Sequence, residues 1–190
     1  MTRIALIAGT YLPESCDVSD YTAHLCNSLR EYEIESVILT TYYAAEAAYD
    51  PQAVGVVHGW RLADLFALVK AVRASRAEIL HIQYSAEIYC FETAILLLPL
   101  LLRMTGWRSP IVTTVHKYGC RESQLQLPQV VEWLKLQGQH YHWWDREDGF
   151  LLTQSNAVIT TNTETKTLIC DRLPKLKNRT FHIPITSNVE

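Results

Sequence analysis

RIALIAG, residues 3–9, is an apolar run of strand length ending in glycine, and it decides the fold. A polar loop over residues 10–19 follows it, and residues from about 20 to 30 carry the spacing of an amphipathic helix. Strand, loop and helix in that order open a nucleotide-binding-like α/β domain. The alternation then continues. Residues 36–40 (SVILT), 54–57 (VGVV), 78–83 (EILHIQ), 110–116 (PIVTTVH), 157–161 (AVITT) and 180–183 (TFHI) read as strands. Residues 62–74, the apolar stretch that ends near residue 104, and residues 164–172 read as helices, while 41–52 is a polar stretch rich in Ala and Tyr. The predicted fold is α/β and Rossmann-like: a mainly parallel β-sheet with helices on both faces. One region breaks the rhythm. Residues 117–149 are a long excursion rich in Gln, Trp and His between two strands.

Composition sets the class. With 48% apolar and 19% charged residues, the chain has the make-up of a soluble globular domain. Its net charge of −3, from 17 basic and 20 acidic residues, leads us to expect no nucleic-acid partner. Five scattered cysteines, none in a C-x-x-C pair, imply a reducing compartment without a disulfide framework or zinc ribbon. No signal peptide is expected, because the N-terminus runs straight into a strand. Residues 94–102 (AILLLPLLL) fall short of the about 20 apolar residues that a spanning helix needs, and read as a helix buried on the sheet. The expected location is cytoplasmic, with a peripheral membrane contact left open.

In parallel sheets ligands bind beyond the carboxyl ends of the strands. The residues there are Thr10, Pro13, Ser15, Cys16, Asp17 and Ser19, then Tyr84 and Ser85, then His116, Lys117 and Tyr118, then Thr161, Asn162 and Thr163. One histidine, one lysine and many hydroxyls suit a sugar or polyol, which is recognised by numerous neutral donors and acceptors.

The loop PESCDVSDYT (13–22), HIQY (81–84), TVH (114–116) and the ending IPITSN (183–188) resemble, in this order, the N-terminal domain of family 4 glycosyltransferases of the GT-B fold. The resemblance covers essentially the whole chain. It implies one acceptor-side domain over residues 1–184, the start of an interdomain linker at 185–190, and a C-terminal donor-binding domain that this chain lacks. It implies transfer of a sugar from a nucleotide-sugar to a sugar-type or lipid-linked acceptor with retention of anomeric configuration, and no cofactor or metal held by the protein. By position, His116 is the implied catalytic histidine. Cys16, Asp17, Val18 and Ser19 form the implied loop near the donor diphosphate, where amides at a helix start would suit an anion. Gln83 and Tyr84 would border the acceptor pocket, and the carboxyl-edge reading adds Lys117, Thr161 and Asn162 to the substrate-binding set.

Two positions depart from the family pattern. Family loops read C-G-V or G-G-V, whereas Asp17 stands in the glycine position, removing easy access to positive φ and adding a charge that repels a diphosphate. An acidic residue often follows T-V-H, and here it is Lys117. Asp17 and Lys117 are therefore either a compensating pair on one rim or marks of a decayed site. Two functional readings follow: half of a sugar-transferring enzyme, completed by a donor domain or a partner chain, or a non-catalytic binding or docking module. Self-association through the face that a donor domain would cover is a further expectation. Other features have plainer readings. His81 inside a strand reads as a satisfied core histidine, Trp133, Trp143 and Trp144 as core aromatics, and His140 and His142 with Asp145 and Asp148 as a helical stretch rather than a metal site.

Overall fold

The computed structural model describes residues 2–13, 16–118 and 149–184. Seven strands form one sheet: β1 (Arg3–Ile7), β2 (Glu35–Thr41), β3 (Ala53–Val57), β4 (Ile79–Tyr84), β5 (Ile111–Val115), β6 (Ala157–Thr160) and β7 (Thr180–His182). Their spatial order is β3-β2-β1-β4-β5-β6-β7, and every pairing is parallel. Each predicted strand is present within a residue or two of its expected bounds. The order reverses between β1 and β4, which makes the crevice beyond their carboxyl ends the switch point of the fold.

The central strands are buried on both faces, and β1 shows how. Ala5 and Ile7 point into one core, while Ile4, Leu6 and Ala8 point into the other. This follows from the two-residue period of a strand. The second core is covered by helix α1 (Asp17–Glu31), through Leu25, Cys26 and Leu29, and by α2 (Tyr42–Ala48), through Ala44 and Ala48. The first and larger core is covered by α3 (Asp64–Ala74), whose Leu65, Leu68, Val69 and Val72 repeat at i, i+3, i+4 and i+7. It is completed by α4 (Leu98–Met104), α5 (Gly149–Gln154) and α6 (Thr163–Arg172).

The structure corrects three expectations. Helix α1 begins at Asp17, three residues before the expected start. Cys16 is its N-cap: the Ser19 N–H donates to the Cys16 sulfur at 3.4 Å, and the Cys16 N–H donates to the Ser19 hydroxyl at 3.1 Å. This reciprocal cap uses Cys and Ser where the usual box uses Ser/Thr and Glu/Gln, so its sequence signature is hidden. The stretch after β2 contains helix α2, started by the Thr41 hydroxyl accepting the Ala44 N–H at 3.2 Å. The apolar stretch at 94–102 is divided. Ala94–Leu97 is a 3-10 turn, and α4 starts only at Leu98, with Pro99 in its first turn, where a missing N–H costs nothing. Ile95, Leu96, Leu98 and Leu102 are buried in the first core, as expected for a helix packed on the sheet. Among the described residues no helix is long and apolar enough to cross a membrane. The linker expected at 185–190 lies outside the described residues, as do Trp133, Trp143, Trp144, His140, His142, Asp145 and Asp148.

Candidate functional site

Four loops at the carboxyl edge meet in a cleft of about 210 Å³. Cys16, Asp17 and Val18 come from the start of α1, and Ser85, Glu87 and Ile88 from beyond β4. His116 and Lys117 follow β5, and Thr161 follows β6. The volume is below the roughly 300–1,000 Å³ of drug-sized pockets.

Of the residues expected in the site, Cys16, Asp17, Val18, His116, Lys117 and Thr161 line this cleft together. The others do not. Ser19 is fully buried in the α1 cap, with its hydroxyl donating to the Cys16 carbonyl at 2.9 Å. Asn162 caps α6, its side-chain oxygen accepting the Thr165 N–H at 2.7 Å. Gln83 and Tyr84 are buried beneath the cleft rather than on its wall. Glu87, Ile88 and Tyr21 went unrecognised in the sequence. Glu87 and Ile88 lie in a 3-10 turn (Glu87–Tyr89) immediately after β4. Tyr21 lies one helical turn beyond Asp17, its ring edge-on to His116 with centroids 5.0 Å apart. Starting α1 at Asp17 would have revealed it, because residues i and i+4 share a helix face.

The electrostatics do not favour an anion in this cleft. Among the described residues two carboxylates, Asp17 and Glu87, line it against one ammonium, Lys117. The ion pair that Lys117 makes among the described residues is with Glu87, at 2.7 Å, and not with Asp17. The helix start offers little either, because the Val18 and Ser19 N–H groups are directed at the Cys16 sulfur. Burial pushes the Cys16 thiol up, but hydrogen bonds from Thr10, Ser19 and those two amides outweigh it and leave the thiol below its ordinary value. The amides that would cradle a phosphate thus already have an acceptor.

Beneath the wall lies a polar ladder across β4 and β5. The Thr114 hydroxyl is 2.8 Å from His81 Nε2, and the Gln83 amide nitrogen is 3.4 Å from the same atom. Gln83 Oε1 is 2.9 Å from His116 Nε2. Burial lowers His116 to about 4, opposed in part by the Asp17 carboxylate. Burial likewise lowers His81 to about 4, helped by the neighbouring His116. His81 is therefore the partnered core histidine that its place inside a strand implied.

Both imidazoles are neutral near pH 7, and this makes stability depend on pH. Unfolded, a histidine titrates near about 6.5. As pH falls below that value the unfolded chain takes up protons that the folded chain refuses. The contribution is complete above pH 6.5 and is lost as pH drops towards 4. Between about pH 7.5 and about pH 5 the pair should cost roughly 2–4 kcal/mol of unfolding free energy, with the smaller share from the partly exposed His116. Urea unfolding at the two pH values measures this, and His81→Asn should flatten the dependence. Equal stability at both values would refute it.

Fold and cleft together define an α/β, Rossmann-like domain with a small cleft at its switch point. Solved structures of an alpha-glucosyltransferase share this fold. One, in complex with UDP and a 13-mer DNA containing a HMU base, is 11% identical over 95% of this chain and 41% of its own, with a TM-score of 0.52. Another, in complex with UDP-glucose and DNA containing an abasic site, is 10% identical over 96% of this chain and 42% of its own, with a TM-score of 0.53. The chain thus spans about two-fifths of the length of the structures it matches. No protein-family model and no curated protein sequence matches it. Among the described residues no group of three or more His, Cys, Asp or Glu comes together to hold a metal.

Proposed function

We propose that this chain is the acceptor-side domain of a retaining, family 4-like glycosyltransferase of the GT-B fold, completed by a donor-binding domain. The observation that carries the reading is the meeting of loops from β1, β4, β5 and β6 on a small cleft, with His116 neutral in its wall. A neutral imidazole and the hydroxyls of Ser85 and Thr161 suit sugar hydroxyls, and the two carboxylates among the described lining residues disfavour a bare diphosphate. The nucleotide part of the donor is then held by the second domain. The ordered resemblance of the loops and the shared fold of the alpha-glucosyltransferase structures support the same reading.

The acceptor is proposed to be sugar-type or lipid-linked and the location cytoplasmic. The DNA in both related structures gives no support to the expectation of no nucleic-acid partner. DNA therefore belongs among the acceptors tested, against the chain's net charge of −3.

The test is transfer of labelled glucose from UDP-glucose by the longest natural polypeptide containing this chain, or by this chain with its partner. His116→Ala should lower kcat/KM by about 100-fold, the scale of losing one well-placed polar contact in the transition state. Robust transfer by these 190 residues alone would remove the need for a donor domain. Unchanged activity in His116→Ala would remove the histidine from the site. The double reversion Asp17→Gly with Lys117→Glu separates the alternative of a decayed binding module. A gain of transfer would favour decay. We expect a loss, because Lys117→Glu sets a carboxylate against Glu87 in place of the 2.7 Å pair.

A further inference from the structure

We propose that Gln83 is a positioning residue: its single amide bridges the Nε2 atoms of His81 and His116, sets the two rings in opposite tautomers, and leaves Nδ1 of His116 as an acceptor for a ligand hydroxyl. The argument starts from the amide, which has one accepting and one donating end. Gln83 is fully buried on β4, so water does not relax this requirement. Its Oε1 lies 2.9 Å from His116 Nε2, so that nitrogen must carry the hydrogen. Its Nε2 lies 3.4 Å from His81 Nε2, which must then be the bare nitrogen. In that tautomer the Thr114 hydroxyl, 2.8 Å from the same His81 atom, shares that atom's one lone pair with the Gln83 amide. The backbone is anchored too, because the Tyr89 hydroxyl donates to the Gln83 carbonyl at 2.7 Å.

His116 lines the cleft, and its Nε2 is occupied by Gln83. No described residue donates to its Nδ1, which leaves that nitrogen available as an acceptor for a hydroxyl bound in the cleft. A proton arriving at His116 would make both ring nitrogens donors, and the hydroxyl would lose its acceptor. The ladder thus acts on ligand orientation without touching the ligand. The inference deepens the sugar-binding reading and rests on it only for the identity of the hydroxyl.

The tautomers are measured without any ligand, by ring-nitrogen NMR of the histidine-labelled full chain, with His116→Gln and His81→Asn providing the assignments. The expected result is His116 with hydrogen on Nε2 and His81 with hydrogen on Nδ1. The reverse pattern, or the same tautomer on both rings, overturns the proposal. Gln83→Glu adds a pH readout. His116 is faced by Asp17 and Tyr21 from α1, by His81 on β4, by Glu87 beyond β4, and by its neighbour Lys117. A carboxylate at 83 should raise the His116 titration midpoint by about 1–3 pH units. An unchanged midpoint in folded Gln83→Glu counts against the bridge, and the wild-type tautomers decide the matter if that variant does not fold. A failed transfer assay leaves this outcome untouched, so the two readings fail separately.

Discussion

Gly9→Ala should lower the unfolding free energy by about 3 kcal/mol, the upper part of the range for forcing extra volume into a packed site. Gly9 follows β1, and a methyl group there would stand 2.3 Å from the Ile88 carbonyl oxygen and 2.7 Å from its carbonyl carbon. The obstacle is backbone, so no rotamer change relieves it. Either β1 or the turn carrying Ile88 must move. A domain of this size loses about 2–4 °C per kcal/mol, so the melting temperature should fall by roughly 6–12 °C. Thermal melting of the purified chain measures this, and a loss under about 1 kcal/mol would show that the turn yields freely. Because Ile88 lines the cleft, the variant should also bind the proposed sugar ligand more weakly than its remaining stability alone would explain.

Tyr89→Ala is expected to cost about 4 kcal/mol, the scale of removing a large buried aromatic. Tyr89 is fully buried, and its ring meets Trp60 edge-on at 4.8 Å. Tyr89→Phe separates the two contributions of the side chain. It keeps the ring but leaves the Gln83 carbonyl without its 2.7 Å donor, which should cost about 1–2 kcal/mol. Denaturant unfolding of the pair measures the split, and equal losses in both variants would mean that packing contributes little. Gly9 and Tyr89 act on the same turn, so their effects should combine non-additively. That turn links the core to function: it buries Tyr89 below and presents Glu87 and Ile88 to the cleft above.

The strands were legible because their signal is local. A run such as PIVTTVH declares itself through β-branched residues over a few positions, and β5 lies within it. Alternation with helices then implied a parallel sheet, and the carboxyl-edge rule pointed to the rim where the described residues form a cleft. Cys16, Asp17, His116, Lys117 and Thr161 were singled out this way and do share one cleft. The start of α1 was misplaced because its cap is built from Cys16 and Ser19, and Tyr21 was lost with it. Glu87 and Ile88 were missed because a three-residue 3-10 turn has no period to detect. Gln83 was placed at the acceptor pocket by the family resemblance, and its burial within β4 is set by strand pairing that no local pattern shows.

By itself the order of residues determined the α/β class, the strands of the sheet and the rim on which chemistry could occur. These are properties of short windows, in which side-chain period and turn residues act between neighbours in the chain. Only the tertiary structure decided which rim residues meet and which are spent on the fold. Parallel pairing of β4 with β5 sets Gln83 opposite Thr114 and brings His81 and His116 to one buried amide, with a sequence separation of 33 in both the His81–Thr114 and the Gln83–His116 contact. No local pattern encodes such a contact. It arises from the register of two strands brought together by the burial of their apolar faces.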